Sequence, residues 1–305
     1  MTKQTLQVDA AAAGQRIDLL VGEKCSLSRA RVKALFEDGH VRLNGRRAKK
    51  GVSVSAGDSV EVELPEVPTT TGATPDVALP LTVLHEDAAL VFVAKAAGVP
   101  SQPLQPGELG TVANALIAKY PEMASVADDH REAGLCHRLD VETSGVLLAA
   151  RTREDWQTMR AAFGEDRNIE KRYLALVNGP LADEGEIEVP LAHAGDHVVP
   201  SETEGRPALT LFKVLRRKGS WSLVDVTLVT GVLHQVRAHL AAIGASIAGD
   251  TLYGGRPLPG LNRFFLHAAS LGVTHPRSHE RVTVQAPLPP ELQSVIDSLF
   301  GAEPG

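Results

Sequence analysis

The chain has few cysteines and no long apolar run. Its 305 residues include two cysteines, Cys25 and Cys136, and no CxxC pair, which excludes a disulfide framework and a zinc site built on paired thiolates. The first residues lack the apolar core of a signal peptide, and no segment approaches the roughly 20 apolar residues of a membrane span. We therefore expect a cytoplasmic protein with no membrane partner.

Motifs for common metals and cofactors are also missing. The chain has no glycine-rich phosphate loop, no HExxH motif and no aspartate-rich loop. His193 and His197 are four residues apart, but the surrounding segment is typical of a loop, whereas His234 and His239 would diverge on a helix. We expect neither a metal site nor a cofactor.

Charge is unevenly distributed along the chain. The formal net charge is -6, yet residues 16–50 contain ten lysines and arginines against four acidic residues, a local net charge of +6. Such a basic segment in an acidic protein is typical of a small module that binds phosphates, and a solvated charged face is the alternative. The candidate phosphate contacts in it are Arg29, Arg31, Lys33, Arg46 and Arg47.

Local patterns divide the chain into two domains. Residues 1–64 contain two short helices, a hairpin turn at Asn44-Gly45 and an alternating strand, which predicts a small α/β module. Residues 65–80 hold four prolines and no periodicity, which predicts a linker. Residues 81–305 mix strand pairs with helices, which favours an α+β fold with a mixed, largely antiparallel sheet and flanking helices.

The segment GLCHRLDVETSGVLL, residues 134–148, concentrates polar groups directly before a strand that looks buried. Asp140 follows His137 and Arg138 there, and a Thr-Ser-Gly turn comes next. A carboxylate in this place can be a nucleophile, a general acid or base, a metal ligand or a cap of the turn. Capping is the common use of aspartate in such turns, so this segment alone leaves the choice open.

A second polar cluster lies in TGVLHQVRAHL, where His234 and Arg237 are three residues apart and would share one face of a helix. That face adjoins the apolar stripe of the helix. Arg237 is therefore expected near the rim of the core, where an unpaired charge is costly. It needs a carboxylate partner, and Asp140 is a candidate.

These segments together resemble the RluA-type pseudouridine synthase family. HRLDVETSGVLL resembles the family's HRLDxxTSG motif, EKRYLALV resembles its second motif, and TGVLHQVRAHLAAIGASIAGDTLYG resembles its third. Residues 14–64 resemble the small alpha-L RNA-binding module first described in a ribosomal small-subunit protein. The resemblance covers nearly the whole chain, and it implies the pseudouridine synthase fold for residues 81–305.

The resemblance implies an enzyme that isomerises uridine to pseudouridine in structured RNA, chiefly large-subunit ribosomal RNA, with transfer RNA as the other possibility. It implies Asp140 as the nucleophile, Tyr173 as the residue that stacks on the base and Arg237 as the partner of Asp140. Arg138 would help to hold the flipped-out uridine. We expect a monomer whose basic module contacts the RNA backbone. The other candidate contacts to RNA in the cleft are His137, Thr143, His234 and Gln235.

Two departures from the family pattern bear on activity. Val232 and Leu233 stand where the third motif usually has a basic residue after Thr-Gly, and Ala96 replaces the usual proline after an early lysine. The first change removes an expected contact with the RNA backbone. The alternatives are therefore an inactive RNA-binding or ribosome-assembly factor of the same fold, or a hydrolase that uses Asp140 with His234. The intact Asp, Tyr and Arg set favours an active synthase.

Overall fold

Two compact units, Met1–Thr69 and Thr70–Gly305, make up the chain. The computed structural model describes residues 2–9, 12–25, 29–64, 72–165 and 168–301. Their strands are β1 (Thr2–Gln7), β2 (Val41–Leu43), β3 (Arg46–Arg47), β4 (Ser59–Leu64), β5 (Thr82–Glu86), β6 (Leu90–Lys95), β7 (Ser144–Ala150), β8 (Glu170–Asn178), β9 (Glu184–Glu188), β10 (Leu191–Ala194), β11 (His197–Pro200), β12 (Leu209–Lys218), β13 (Trp221–Leu228), β14 (Ser246–Ile247), β15 (Leu266–Thr274) and β16 (Arg281–Gln285). Their α-helices are α1 (Ile17–Lys24), α2 (Arg29–Glu37), α3 (Val112–Lys119), α4 (Arg153–Gly164), α5 (Gln235–Ala242) and α6 (Pro290–Phe300). None of the helices in these ranges has the length and apolar character that crossing a bilayer requires.

The small unit combines helices α1 and α2 with an antiparallel sheet in the order β1-β4-β2-β3. Asn44 and Gly45, with φ of 50° and 78°, form the two-residue turn between β2 and β3, as the sequence predicts. Strand β1 is an element that the sequence did not reveal. Leu6 is its one apolar residue, and six residue pairs with β4 hold it in the sheet through the backbone.

The large unit is built on one ten-stranded sheet. Its strand order is β5-β6-β7-β15-β8-β13-β12-β9, with β14 also paired to β8 and β16 to β15. Within the described ranges, β7 and β15 form the one parallel pair, and every other pair in this sheet is antiparallel. The predicted α+β fold with a mixed, largely antiparallel sheet is confirmed.

Strand β7 fixes the Asp140 segment to the middle of this sheet. Its sequence SGVLLAA is apolar almost throughout and every residue is buried, as expected for a strand covered on both faces. Gly145 has φ of 124°, and a Cβ atom there would lie 2.1 Å from the carbonyl oxygen of Ala268 in β15. Only glycine permits this close approach, so the chain enters the sheet immediately after the turn that carries Asp140.

Part of the segment predicted to be a linker is attached to the large unit. The backbone N–H of Ala73 donates to the carbonyl of His130 (3.1 Å), and Asn114 Nδ2 donates to the carbonyl of Thr74 (2.6 Å). Ala73 is also buried in the core of that unit. Residues 65–71 lie outside the described part of the chain.

The segment around His193 and His197, predicted to be a loop, is a β-hairpin formed by β10 and β11. Each strand has four residues and contributes a single buried apolar side chain, Leu191 or Val198, so the alternating pattern is too short to recognise. These two side chains pack with Ala208 and Ala238, which ties the hairpin to the start of β12 and to α5.

Candidate active site

A cleft of about 500 Å³ opens in the large unit between the turn that carries Asp140, strand β8 and the start of α5. Asp140 is the one carboxylate among the described residues that line it. The charged and polar side chains of its wall are His137, Arg138, Asp140, Thr143, Arg160, Lys171, Tyr173, Arg206, His234, Gln235 and Arg237.

Backbone and buried side chains hold the Asp140 turn without using its carboxylate. The N–H of Thr143 donates to the carbonyl of Asp140 (3.0 Å), which closes the turn. Ser101 Oγ donates to the carbonyl of Leu139 (3.0 Å) and accepts from its N–H (3.1 Å). The Asp140 side chain is therefore left to face the cleft, which disfavours the alternative of a simple turn cap.

Lys95, at the end of β6, lies behind the same turn. Its ammonium donates to the carbonyls of Ala96 (3.0 Å), Val99 (2.6 Å) and Val141 (2.8 Å). Burial lowers the pKa of Lys95 to about 7, while the nearby charge of Asp140 opposes that shift. Three carbonyl acceptors match the three N–H donors of an ammonium, so Lys95 cross-links two loops at the base of the cleft.

Arg237 contacts two carboxylates. Its Nη1 lies 3.1 Å from Asp140 Oδ2, so the contact expected from the sequence is present. Its Nε and Nη2 form a bidentate pair with Asp250, at 2.6 and 2.9 Å. Asp250 is thus the main partner of Arg237, and sequence reasoning missed it. The available signal was an isolated aspartate in the apolar stretch ASIAGD, within the third motif.

The guanidinium of Arg237 is also enclosed by aromatic rings. Its central carbon lies 5.0 Å from the ring centroid of Tyr253 and 4.4 Å from that of Phe264, distances at which a cation interacts with ring faces. Burial works to lower the pKa of Arg237, but the hydrogen bonds and charges of Asp250 and Asp140 outweigh it and raise that pKa. Arg237 is therefore a fixed positive charge.

The helix predicted to carry both His234 and Arg237 begins only at Gln235. His234 precedes it with φ of 52° and ψ of 18°, so His234 and Arg237 do not share a helix face as the sequence suggested. Both nevertheless reach Asp140, because His234 Nε2 lies 3.7 Å from Asp140 Oδ1. Packing accounts for this later start of the helix, because Val232 and Leu233 pack against the apolar cluster that anchors the β10–β11 hairpin.

Gln235 has a structural task in place of the RNA contact expected from the sequence. Its side chain is buried, and its oxygen accepts hydrogen bonds from Thr230 Oγ1 (2.9 Å) and the N–H of Val232 (3.0 Å). Its nitrogen donates to the carbonyl of Leu209 and to Thr210 Oγ1, both at 3.0 Å. These bonds occupy both N–H donors and the oxygen, so Gln235 fixes the loop before α5.

The other residues predicted for the cleft lie on its wall. Tyr173, on β8, is buried, and burial followed by the charge of Asp140 raises the pKa of its hydroxyl. Arg138 is exposed beside Asp140. Thr143 is buried, and its hydroxyl has no hydrogen-bond partner in the described part of the chain.

His137 lines the cleft and also supports the sheet beneath it. Its Nε2 accepts the backbone N–H of Leu148 (3.1 Å), and its ring stacks on Phe163 with 4.6 Å between centroids and an angle of 15°. Burial, followed by the positive charges of Lys171 and Arg160, lowers the pKa of His137 to about 3. It is therefore a neutral hydrogen-bond acceptor that holds β7.

The small unit places two of the five predicted phosphate contacts in a groove of about 550 Å³, which Glu37 also lines. Lys33 and Arg47 line it together with Lys49 and Lys50. Arg47 also donates to the carbonyl of Glu37 at the end of α2 (2.7 Å), and Lys33 is 3.6 Å from the Glu37 carboxylate. Arg46 is exposed on β3, and the side chains of Arg29 and Arg31 lie outside the described part of the structure.

A family model described as RNA pseudouridylate synthase matches residues 89–242, which include the Asp140 turn, Tyr173 and Arg237. The chain belongs to this family. Among the relatives of this RNA pseudouridine synthase, one from Mycobacterium bovis, named an uncharacterized RNA pseudouridine synthase, is 35% identical across 99% of both chains. Another, from Xanthomonas campestris and named ribosomal large subunit pseudouridine synthase D, is 33% identical over 95% of this chain and 90% of its own.

Solved structures agree with this assignment. The structure of human RNA pseudouridylate synthase domain containing 1 superposes with a TM-score of 0.56 at 25% identity, and covers 72% of this chain and 89% of its own. A second human protein, RNA pseudouridylate synthase domain containing 4, shares the fold with a TM-score of 0.57 over 72% of this chain. The chain is an RNA pseudouridine synthase, an isomerase that converts uridine in RNA to pseudouridine.

For an RNA pseudouridine synthase, the charge of the cleft is informative. Arg138, Arg160, Lys171 and Arg206 place positive charge around one carboxylate in a protein whose net charge is negative. Such an arrangement suits a polyanion whose single nucleotide enters the cleft. Arg206 was not among the predicted contacts, because it lies in the segment between β11 and β12 that matches none of the motifs. Within the described ranges, no group of three or more His, Cys, Asp or Glu side chains is placed to hold a metal ion.

Proposed function

We propose that this synthase is of the RluA type and modifies a uridine of large-subunit ribosomal RNA. Two relatives that align over nearly the whole chain, from Xanthomonas campestris and Haemophilus ducreyi, bear the name ribosomal large subunit pseudouridine synthase D. Their likeness extends over both units, so it includes the basic segment as well as the cleft. We therefore favour large-subunit ribosomal RNA over transfer RNA as the substrate.

The observation that carries the proposed chemistry is Asp140 itself. It is the only carboxylate among the described residues of the cleft wall, and a buried guanidinium, Arg237, orients it. In the reaction the bond from the sugar to N1 of uracil breaks and the base turns. A bond from the sugar to C5 then forms, C5 loses its proton, and N1 takes one up, so the product is an isomer of uridine. Asp140 acts as the nucleophile, Tyr173 stacks on the base, and no group enters or leaves the RNA.

The uridine has to leave its stack to reach Asp140, which costs a few kcal/mol. Arg138 is exposed beside the carboxylate of Asp140. Its role is either to fill the space in the RNA stack that the base vacates or to contact the flipped nucleotide. Arg206 replaces the cation that the third motif lacks in this chain. It is exposed, it lines the cleft together with Val232, and Val232 itself is committed to the apolar cluster under the hairpin.

The small unit acts as an alpha-L RNA-binding module that holds the RNA backbone. The groove lined by Lys33, Arg47, Lys49 and Lys50 supports this assignment. Phosphate contacts release counterions, so the affinity for RNA falls steeply with salt. Removal of residues 1–69 is expected to weaken RNA binding and flatten that salt dependence. An unchanged salt slope in the truncated protein would show that the basic surface is only solvated.

The test of the whole proposal is a map of pseudouridines in all RNA from cells with and without this protein. We expect at least one pseudouridine to disappear from large-subunit ribosomal RNA and to return with the wild-type chain. Asp140→Asn should not restore it, whereas Asp183→Asn, which alters an exposed carboxylate outside the cleft, should. Loss of a site in transfer RNA instead would reject the substrate, and restoration by Asp140→Asn would reject the nucleophile.

A further inference from the structure

Each carboxylate oxygen of Asp140 faces a different nitrogen. Oδ2 lies 3.1 Å from Arg237 Nη1, and Oδ1 lies 3.7 Å from His234 Nε2. The other nitrogen of His234, Nδ1, lies 3.1 Å from the hydroxyl of Tyr253. That hydroxyl also accepts the backbone N–H of Val198, at 3.0 Å. A continuous chain of polar contacts therefore runs from the β10–β11 hairpin to the carboxylate.

The hydroxyl of Tyr253 decides where the proton of His234 resides. A phenol has one proton to donate, and here its oxygen already accepts from Val198. Among the described residues, His234 Nδ1 is the acceptor within reach of that proton. A hydroxyl that donates to Nδ1 places the imidazole proton on Nε2, facing Asp140. The opposite tautomer turns the Nε2 lone pair toward the carboxylate of Asp140, which is unfavourable.

The backbone and the surrounding rings hold His234 in this orientation. It adopts the left-handed conformation with φ of 52°, which is uncommon outside glycine and persists only when neighbours enforce it. Its ring is perpendicular to that of Tyr253, with an interplanar angle of 87° and 5.8 Å between centroids. Its side chain is 14% exposed, so the imidazole has little freedom to turn.

We propose that His234 is a positioning residue for Asp140 and that Tyr253 acts through it by fixing its tautomer. The proposal rests on the role of Asp140 given above. In the free enzyme Nε2 is 3.7 Å from Oδ1, too long for a hydrogen bond. Contacts of this kind tighten when the substrate fills the site. His234 then restrains the oxygen that Arg237 leaves free, so the carboxylate keeps one orientation toward the nucleotide.

The neutral state of His234 is part of this arrangement. Burial lowers the pKa of His234; Asp140 and Asp250 oppose that effect, and the positive charge of Arg237 reinforces it. The donor from Tyr253 occupies the Nδ1 lone pair, which further favours the neutral ring. A protonated His234 would form a full ion pair with Asp140 and compete with the substrate for the carboxylate. Loss of the Tyr253 hydroxyl should raise the pKa of His234 and so move the acid limb of activity to higher pH.

The first test needs no RNA. The side-chain ¹⁵N shifts of His234, assigned by comparison with His234→Gln, should show the proton on Nε2 in the wild-type chain. Tyr253→Phe should change this to a mixture of tautomers or a protonated ring. Tyr120→Phe is the matched control, because its hydroxyl also bonds a side chain, that of Glu86, but lies outside the cleft. A proton on Nδ1 in the wild-type chain, or no change in Tyr253→Phe, would overturn the proposal whatever the substrate is.

The second test uses ribosomal RNA extracted from cells that lack this protein. Tyr253→Phe should lower kcat about tenfold with little change in KM, because it loosens an orientation and removes no contact to RNA. His234→Gln, whose amide can donate toward Asp140, should keep more activity than His234→Ala. A purely structural role predicts instead that all variants lose activity in proportion to stability, with an unshifted pH profile. That outcome refutes the proposal, and failure of the wild-type enzyme to modify this RNA refutes only the proposed substrate.

Discussion

The Asp140 turn and the Asp250 turn are two regions of the large unit that offer a carboxylate to the same guanidinium, and they do so in different ways. The side chain of Asp250 is 1% exposed and takes two hydrogen bonds from Arg237. The side chain of Asp140 is 22% exposed and takes one. The buried carboxylate neutralises and aligns the arginine, so that the exposed carboxylate receives one aligned donor and keeps an open face toward the cleft.

The turns themselves reflect this division. The carbonyl of Asp250 accepts the N–H groups of Tyr253 (3.1 Å) and Gly255 (2.7 Å), so backbone and side chain are both saturated from within the protein. At Asp140 the backbone closes its own turn, and supporting groups bind the neighbouring carbonyls. One region is built to hold a charge in place, and the other is built to present a charge.

The largest effect is expected from Asp140→Asn. The amide keeps the shape of the side chain and removes the charge, so turnover should fall on the order of a thousandfold or more, as when a nucleophile is lost. Stability and RNA affinity should stay close to those of the wild-type chain, because Asp250 still pairs with Arg237. The measurement is single-turnover pseudouridine formation alongside urea denaturation. Turnover within tenfold of wild type would remove Asp140 from the chemistry.

Arg237→Ala should damage both regions at once. It leaves the buried Asp250 without its partner and Asp140 without its aligned donor, and breaking a buried pair in this way costs about 3–5 kcal/mol of unfolding free energy. Arg237→Lys should recover part of that stability but little of the activity, since an ammonium cannot donate in parallel to Asp250 while reaching Asp140. Urea denaturation and turnover measured on both variants check this. Normal stability in Arg237→Ala would contradict the buried pair.

Asp250→Asn should give the reverse pattern to Asp140→Asn. The amide keeps one acceptor for Arg237 but removes the charge that compensates a buried guanidinium, so we expect a loss of about 1–3 kcal/mol in stability. Activity should fall less than in Asp140→Asn, because the contact between Arg237 and Asp140 remains. Thermal unfolding and turnover, measured side by side for the two aspartate variants, provide the comparison. If Asp250→Asn is as stable as wild type and as inactive as Asp140→Asn, the division of tasks is wrong.

Sequence reasoning reached the fold class, most elements of the large sheet and the contact between Asp140 and Arg237. These features depend on local periodicity, on turn residues and on the need of a buried charge for a partner. The strands that sequence reasoning missed are held by backbone pairing and contribute few apolar side chains to a core. Strand β1 has one apolar residue and depends on pairing with β4, and the hairpin of β10 and β11 contributes only Leu191 and Val198 to a core.

The site was predictable to the extent that its groups lie on the recognised motifs. Asp250 and Tyr253 are within the third motif, but their convergence on Arg237 and His234 depends on how the chain returns after α5, which no local pattern reveals. Gln235 was predicted to contact RNA, but its buried side chain is hydrogen-bonded to the loop before α5. Arg206 reaches the cleft from outside all motifs. In each case tertiary packing decides the role.

The smallest expected effect on activity concerns Lys95, which lies outside the cleft wall and supports the Asp140 region from behind. Burial lowers the pKa of Lys95 from its ordinary 10.5 to about 7, with Asp140 and Glu142 opposing the shift and Arg263 adding to it. Between these two values the unfolded chain holds a proton that the folded chain has released, so the free energy of unfolding rises with pH. The destabilising contribution of the buried charge is complete below about pH 7 and is relieved as the pH rises toward 10.5.

Lys95→Met removes that titration and the three hydrogen bonds to loop carbonyls. We expect the variant to be less stable than wild type at pH 7, and the difference to widen at pH 9 by up to about 1.4 kcal/mol per pH unit. Lys213→Met, at an exposed position of β12, is the control that should show no such widening. Urea denaturation at both pH values measures this. A difference that stays constant with pH would mean that the carbonyls of Ala96, Val99 and Val141 keep Lys95 charged throughout. In that case a permanent cation supports each region: Lys95 binds the Asp140 turn, and Arg237 pairs with Asp250.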